Sequence, residues 1–471
     1  VSIDSAVIPV THYIKGETVS GGGTQFASRD SSSVFEAPEL DLDTLVWQRS
    51  TPGPAFGVSM AEVIDLLCEL GAALGSGAFP HLDEAIALTA AVNPLSRSAI
   101  EEYYEALPKL FRRELLEFEV EQNLGSTDGW RRVSQPRGSF SVRPFPPRLV
   151  HVMPGNTPAA AGISIIRGAL TRGVHLLKMP SNDLFTAPAV LRVLSELAPG
   201  HPIAQSFSAV YWRGGDEAVE SIIYTPQFFD KIVAWGGQSA IRNVVKYLGP
   251  GLELVSFDPK TSASMIGAEA FAGEASLEQI AALAAADVSN QQGCTNSRIQ
   301  LVEGSDDQVD SYCAELARQL AVERPIVGSV AIRTPAAIRD EVEVLGGLPG
   351  YRVWGKFDGS GLVVRSEEPL DLELTAKTVN VVPVAALSDA VRWMNIATQT
   401  VGVYPESRKL ALRDSLASAG VQRIVPLGQA VLYETANAGR PHDGMYPLDR
   451  MIRWVVDEDK DIPGDTEEVQ S

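Results

Sequence analysis

Apolar residues recur at three- and four-residue spacing from Met60 to Leu74 (MAEVIDLLCELGAAL), and the theme continues from Ser96 to Gln122. That period lays an apolar stripe along one face of a helix, so both stretches are expected to be helical. After PRGSFSVRPFPPR the rhythm changes. Short apolar runs follow: LVHVM (149–153), VHLLKM (174–179), SAVYW (208–212), KIVAW (231–235) and LELVSF (252–257). Between them lie AAAGISIIRGALTRG, LFTAPAVLRVLSELA, DEAVESIIYT and SAIRNVVKYLG, which read as helices. Consecutive strand–helix units build a parallel, doubly wound sheet, with its ligand site at the carboxyl ends of the strands. The expected fold class is α/β.

The alternation resumes further on. SLEQIAALAAADVS reads as helix, RIQLVEG as strand and DDQVDSYCAELARQLAV as helix, so a second α/β domain is expected from about residue 261. The first residues are loop-rich: GGGTQFASRDSSS suggests a linker or mobile hairpin, and THYIKGE a short strand. The expected organisation is a loop and strand region over 1–55, a cofactor-binding domain over 56–260, a catalytic domain over 261–430, and a C-terminal segment with an acidic tail over 431–471.

Length and charge narrow the function. A chain of 471 residues exceeds one simple core, so two or three domains are expected. A formal net charge of −20 argues against non-specific binding to nucleic acid or anionic membrane. A phosphate-bearing ligand would have to be drawn in locally, by a lysine or a helix start. No apolar run is long enough to suggest a membrane span, and VSIDSAVIPVTHYIKGE has the polar breaks a secretory signal lacks, so a cytoplasmic protein is expected. The three cysteines are too few and scattered for a disulfide framework, and no metal-ligand spacing joins them to the six histidines.

Cys68 and Cys313 sit in apolar helical patterns and read as packing residues. Cys294 differs. It lies in SNQQGCTNSRIQL, a polar turn between a helix and a strand. Cysteine nucleophiles act as thiolates, whose pKa falls in polar, partly open places near donors or positive charge. Cys294 is therefore the candidate nucleophile. Asn156, at the end of HVMPGN, can donate an amide hydrogen bond to a developing oxyanion, with a backbone N–H at the cysteine as the second donor. Lys178 follows one strand–helix unit later, placed to reach a cofactor ribose or phosphate. Gly236 and Gly237, in WGGQSAI, stand where backbone can approach a pyrophosphate. Taken singly, each has an ordinary alternative: a turn asparagine, a solvated lysine, a loop Gly-Gly pair.

Their joint order resembles the aldehyde dehydrogenase superfamily. HVMPGNTP is similar to its Pro-Trp-Asn segment, with Gly155 in place of tryptophan, and LLKMPSND to its lysine strand. KIVAWGGQSAIRNV is similar to the Phe-Thr-Gly-Ser strand and helix, NQQGCTNSR to the cysteine loop, and VVPVAALSDAVRWMN to a late strand and helix. Within the superfamily the chain most resembles the LuxC-type acyl-CoA reductases, over roughly residues 55 to 460. HVMPGNTPAAAGISIIRGALTRG, KMPSND, QTVGVY and above all GVQRIVPLGQAVLYETANAGRPHDGMYPLDRMIRWV carry that likeness. The resemblance implies a Rossmann-like cofactor domain, a second α/β catalytic domain, a small oligomerisation element and a homodimer or homotetramer.

The departures are informative. Hydrolytic relatives place a water-activating glutamate four residues before a lysine; here that lysine is Lys260 and the position holds Ser256. A serine hydroxyl is no base near neutral pH without help. The glutamate that binds the nicotinamide ribose in relatives has no clear counterpart near Ala376. Losing the water-activating base suits exchange of the acyl group with a thiol. The implied activity is reduction of an acyl-CoA to aldehyde and CoA through an acyl-cysteine on Cys294. NAD-preferring relatives often carry a glutamate three residues beyond the strand lysine. Ser181 stands there, which implies NADPH, unless Asp183 faces the same place. A partner acyl-protein synthetase, as in some LuxC-type systems, is a further expectation. His442 and Asp443 invite a Cys–His–Asp triad, but His-Asp-Gly reads as a turn with a structural role, and Arg298 as an anchor of the cysteine loop. The alternatives are a hydrolytic NAD(P)-dependent aldehyde dehydrogenase, using Glu253 or another base, and a non-catalytic acyl-carrying subunit.

Overall fold

A computed structural model describes residues 7–29, 31–125, 127–135, 138–273, 275–324, 334–431 and 438–458. Residues 432–437 of the C-terminal block and the acidic tail from 459 lie outside the described residues. The architecture is α/β, with two large sheets and two small ones. The first seven-stranded sheet runs in the order Glu253–Phe257, Lys231–Trp235, Arg148–Val152, Val174–Lys178, Phe207–Val210, His12–Ile14, Glu17–Val19. Its first five strands are parallel. These strands are apolar because helices cover both faces; all five residues of Val174–Lys178 are buried. The chain moves one way from Arg148–Val152 to Val174–Lys178, then returns to lay Lys231–Trp235 on the other side. This reversal is the switch point at which such sheets open a ligand crevice.

The second seven-stranded sheet has the order Arg352–Lys356, Gly361–Arg365, Thr378–Val384, Ser297–Glu303, Thr261–Ile266, Thr398–Tyr404, Arg423–Pro426. All its pairings are parallel except the first. The helices Leu277–Val288 and Asp306–Leu320, which flank the strand Ser297–Glu303, both start with a serine capping box, at Ser276 and Ser305. Each box satisfies orphan N–H groups and sets the helix start.

The structure departs from the sequence pattern in four places. The Ser96–Gln122 stretch is two helices, Arg97–Ala106 and Arg113–Asn123, separated by the 3-10 turn Leu107–Phe111. Pro108 lacks an N–H and breaks the ladder. A helix at Pro80–Val92, with proline in its first turn, had no strong period to announce it. Where THYIKGE reads as one short strand, the structure has two, His12–Ile14 and Glu17–Val19, in a hairpin that extends the first large sheet. PRGSFSVRPFPPR contains the strand Gly138–Phe145, the centre of an antiparallel sheet with Arg131–Gln135 and Arg453–Glu458. Among the described residues, no helix is long and apolar enough to cross a membrane.

Candidate active site

The strand leading to Asn156 lies between two others. Val152 is paired with Lys178 on one side, and its strand pairs through Ala234 with Lys231–Trp235 on the other. Asn156, Lys178 and the Gly236–Gly237 turn therefore sit at three adjacent strand ends. Asn93 ties two of the loops there, donating from Nδ2 to the carbonyls of Gly155 (3.0 Å) and Asn182 (2.8 Å). A Cβ on Gly155 would come within 1.7 Å of Asn182 Oδ1, so the two loops pack closely there.

The second sheet delivers Cys294 to the same place. Asn156 Nδ2 donates to the Gln292 carbonyl at 2.6 Å, which joins the first strand end to the cysteine loop. Asn156 Oδ1 is buried without a partner among the described residues. The loop is held on every side. Ser262 Oγ donates to the Cys294 carbonyl at 2.6 Å, and the Gly293 N–H donates to Asn296 Oδ1 at 2.6 Å. Gln291, in the left-handed region at φ 57°, bonds both the N–H (3.1 Å) and the carbonyl (2.9 Å) of Thr378. Arg298 donates to the carbonyls of Leu374 and Gln291, anchoring the loop. Asn290 Nδ2 donates to the Tyr103 hydroxyl at 2.8 Å, reaching the helix Arg97–Ala106.

The charge of Cys294 departs from expectation. Its thiol is pushed up to about 11, not down. Burial is the main cause and the Asp443 carboxylate adds to it; its own N–H, Lys260 and Arg298 oppose. Burial outweighs the donors and positive charges that would favour a thiolate. In this form of the site the sulfur is a protonated thiol at neutral pH.

Lys178 is 8% exposed, and burial lowers its ammonium to about 8, with Glu220 opposing. The ammonium lies 5.5 Å from the centroid of Trp212 and has no hydrogen-bond partner among the described residues. Glu220 is itself buried, accepting from Trp212 Nε1 (3.2 Å), the Gly215 N–H (3.1 Å) and Asn243 Nδ2 (2.7 Å). Gly236 has φ 144°, and Gly237 precedes the helix Gln238–Val245, whose start has no side-chain cap. A buried cation lacking a hydrogen bond and uncapped helix N–H groups fit the phosphates and ribose of a nicotinamide dinucleotide. Ser181 is half-buried on the loop after Lys178. Asp183 does not face that place freely: it accepts from the Thr186 N–H (3.2 Å) and hydroxyl (2.6 Å) at the next helix start.

Two other candidates find different neighbours. Glu253 is exposed at the start of its strand, 2.9 Å from Lys231, so it stands at the opposite end of the sheet from Asn156. His442 is buried with its ring against Phe257 (4.8 Å between centroids) and Trp235 (5.6 Å). Burial and the nearby Arg167, Lys260 and Arg423 lower it to about 3, so it is neutral. The His442 N–H and carbonyl pair with Met445, closing the turn that its sequence suggested. Asp443, in the same turn, raises the Cys294 thiol through its charge. A cleft of about 240 Å³ lined by Arg49, Arg148, Arg172 and Asp230 opens at the amino ends of these strands, away from Cys294.

Comparison with known proteins agrees with this layout. A family model described as acyl-CoA reductase (LuxC) matches residues 56–454. The "Long-chain acyl-protein thioester reductase" of Aliivibrio fischeri is 32% identical over 350 residues, covering 72% of this chain and 70% of that protein. Its Vibrio harveyi counterpart is 29% identical over 350 residues, with the same coverage. Among solved structures, an NAD-dependent benzaldehyde dehydrogenase from Corynebacterium glutamicum superposes with a TM-score of 0.70 over 100% of both chains, at 14% identity. With an aldehyde-dehydrogenase fold and a family match spanning both large sheets, the chain belongs to the acyl-CoA reductase (LuxC) family of oxidoreductases.

Proposed function

We propose that the protein reduces an acyl-CoA thioester to the aldehyde with NADPH, through an acyl-cysteine on Cys294, and releases CoA. The observation that carries this reading is the bond from Asn156 to the Cys294 loop, combined with the distance of Glu253 from it. An amide donor and a cysteine meet at a cofactor crevice, and the glutamate named as a possible water-activating base is elsewhere. An acyl-enzyme formed there is suited to thiol exchange and hydride transfer more than to hydrolysis.

The Cys294 sulfur attacks the thioester carbonyl, and CoA leaves as the acyl-cysteine forms. A nicotinamide cofactor supplies hydride when bound. The second N–H of the Asn156 amide and the Cys294 backbone N–H receive the oxyanion that forms at each addition. Lys178 and Ser181 hold the adenosine ribose with its 2′-phosphate, and Gly236 and Gly237 let backbone approach the pyrophosphate. The engagement of Asp183 by Thr186 supports NADPH, since it leaves Ser181 as the neutral neighbour of Lys178. The relatives' printed names point to long acyl chains carried as thioesters on a protein, and a partner acyl-protein synthetase is the donor we propose beside acyl-CoA. The small sheet of Arg131–Gln135, Gly138–Phe145 and Arg453–Glu458 is the element we assign to homodimer or homotetramer formation.

The test is NADPH oxidation with acyl-CoAs of graded chain length, with the aldehyde trapped and identified. Wild type is expected to make aldehyde and Cys294→Ala none. Steady formation of free acid from aldehyde without CoA would replace this reading with hydrolytic oxidation.

A further inference from the structure

The cleft of about 240 Å³ at the amino ends of the strands Arg148–Val152 and Val174–Lys178 has a charge opposite to that of the chain. Four arginines, Arg49, Arg148, Arg172 and Arg453, line it with one carboxylate, Asp230. Asp230 is buried and shared. Its Oδ1 accepts from Arg49 Nη1 at 2.7 Å; its Oδ2 accepts from the Arg148 backbone N–H at 2.9 Å and lies 3.2 Å from Arg453 Nε. The Arg148 guanidinium donates to the carbonyls of Trp47, Gln48 and Thr51. Arg172 donates to those of Val58 and Thr127 and to the carboxylate of Asp128. Arg143 adds a fifth guanidinium, 4.9 Å from the ring centroid of Phe56, which lines the cleft. Five guanidiniums thus meet two carboxylates, in a chain whose formal net charge is −20.

Holding the segment 47–58 against the sheet accounts for only part of this charge. Arg172 is buried, yet its Nε has no partner among the described residues. Arg49 and Arg453 are half-exposed, and Arg49 Nη2 and both Nη atoms of Arg453 make no hydrogen bond among the described residues. Burial and the charges of Arg49 and Arg453 pull Arg148 below the ordinary arginine value, with Asp230 opposing. Burial and Arg143 do the same to Arg172, with Asp128 opposing. Like charges facing one cavity repel, and an anion between them removes that cost. The rest of the wall is flat and apolar. Phe56 and Phe145 have ring centroids 5.4 Å apart, and the Arg453 guanidinium lies 5.4 Å from the centroid of Phe145. Such rings and guanidinium planes offer stacking surface to a flat group.

We propose that this cleft binds a small aryl phosphate, its phosphate held by Arg49 and Arg453 and its ring against Phe56 and Phe145. A surplus of positive charge favours a dianion, and a phosphate monoester carries about −1.5 to −2 at neutral pH where a carboxylate carries only one charge. Guanidinium groups pair with phosphate through two parallel N–H bonds, which the free Nη atoms can supply. The volume is about the liquid share of eight waters, room for a phosphate and one ring but not for a dinucleotide. The site is separate from the cofactor crevice. It opens where the strands begin, at Arg148 and Val174, whereas Asn156 and Lys178 stand at their carboxyl ends.

The experiment is isothermal titration of the full chain in phosphate-free buffer, with NADPH present to fill the cofactor crevice. The probes are phenyl phosphate, inorganic phosphate and benzoate. Phenyl phosphate is expected to bind at a single site, about tenfold more tightly than either of the others. Arg49→Gln and Arg453→Gln are each expected to weaken it about tenfold, since both side chains are half-exposed and their loss leaves the fold intact. Phe56→Leu is expected to weaken phenyl phosphate about threefold and to leave inorganic phosphate unchanged. NADPH affinity is expected to be the same in all three variants. No binding of phenyl phosphate, or binding that both arginine variants leave unchanged, would overturn the site. A parallel loss of NADPH affinity would also overturn it, because it would mark these arginines as parts of the scaffold. Inorganic phosphate or benzoate binding as tightly as phenyl phosphate would overturn the ligand class.

Discussion

Asn156, Ser262 and Arg298 grip the backbone around Cys294, whereas nothing lies within 4 Å of a Cβ placed on Gly237. The cysteine loop is half-buried and hydrogen-bonded to elements of both large sheets. The glycine turn is open, and the helix behind it begins without a cap. The contrast follows from what each must meet. A nucleophile gains rate when its position is settled in advance, so its loop is tied down before substrate arrives. A turn that receives phosphate must keep its N–H groups unspent, so its polar groups wait for the ligand. Lys178 belongs to the second kind, a buried cation resting on the face of Trp212 with no hydrogen bond among the described residues.

If the contrast is right, damage to the loop removes chemistry and damage to the open side removes binding. Asn156→Ala gives the largest effect, since it deletes an oxyanion donor and the tie to Gln292 together. Single-turnover reduction should slow by about 10²–10³-fold with little change in cofactor affinity. Next is Gln291→Ala, which takes the side-chain bond from the buried Thr378 carbonyl and leaves the Thr378 N–H with the Thr375 carbonyl alone. It should lower unfolding stability by about 2 kcal/mol in urea titration, and reduce turnover more than binding. A stable, fully active Gln291→Ala protein would show that the loop needs no such tether.

Lys178→Met should weaken NADPH binding by about tenfold while changing NADH binding little, measured by fluorescence titration. The same experiment has a pH sign. The ammonium is charged below about 8 and neutral above it, so wild-type affinity for NADPH should fall as pH rises past 8. Bound phosphate favours the charged form and carries the fall to somewhat higher pH. The slope should vanish in Lys178→Met. Gly237→Ala gives the smallest effect: the added methyl meets open space in the protein, so unfolding stability should change by less than about 0.5 kcal/mol. Any loss of NADPH affinity would then report contact with the cofactor itself.

Much of this layout was legible along the chain. KIVAW marks its strand at the observed limits, Lys231–Trp235, and MAEVIDLLCELGAAL its helix at Met60–Leu74. Both are long enough in period and bounded by clear turn or cap residues. Ser96–Gln122 reads as continuous because the apolar spacing runs on through Pro108, where the missing N–H decides the break. The N-terminal hairpin was half legible: THYIKGE looks like a strand, but nothing local says which sheet edge it will join. At the site, Cys294 and Asn156 stood out by residue type and setting. Gln291 and Ser262 did not, because their significance lies in partners from other elements.

By itself the sequence determined the alternation of helix and strand, the cysteine's polar setting and the lack of a glutamate four residues before Lys260. These are properties of neighbouring residues, and side-chain period, turn chemistry and residue identity are read locally. Only the tertiary structure decided that burial raises the Cys294 thiol and that Asn156 is tied to the cysteine loop. It also decided that Glu253 faces the wrong end of its sheet. Charge state depends on burial and on groups brought together from distant segments, and strand direction decides which end of a sheet a carboxylate occupies.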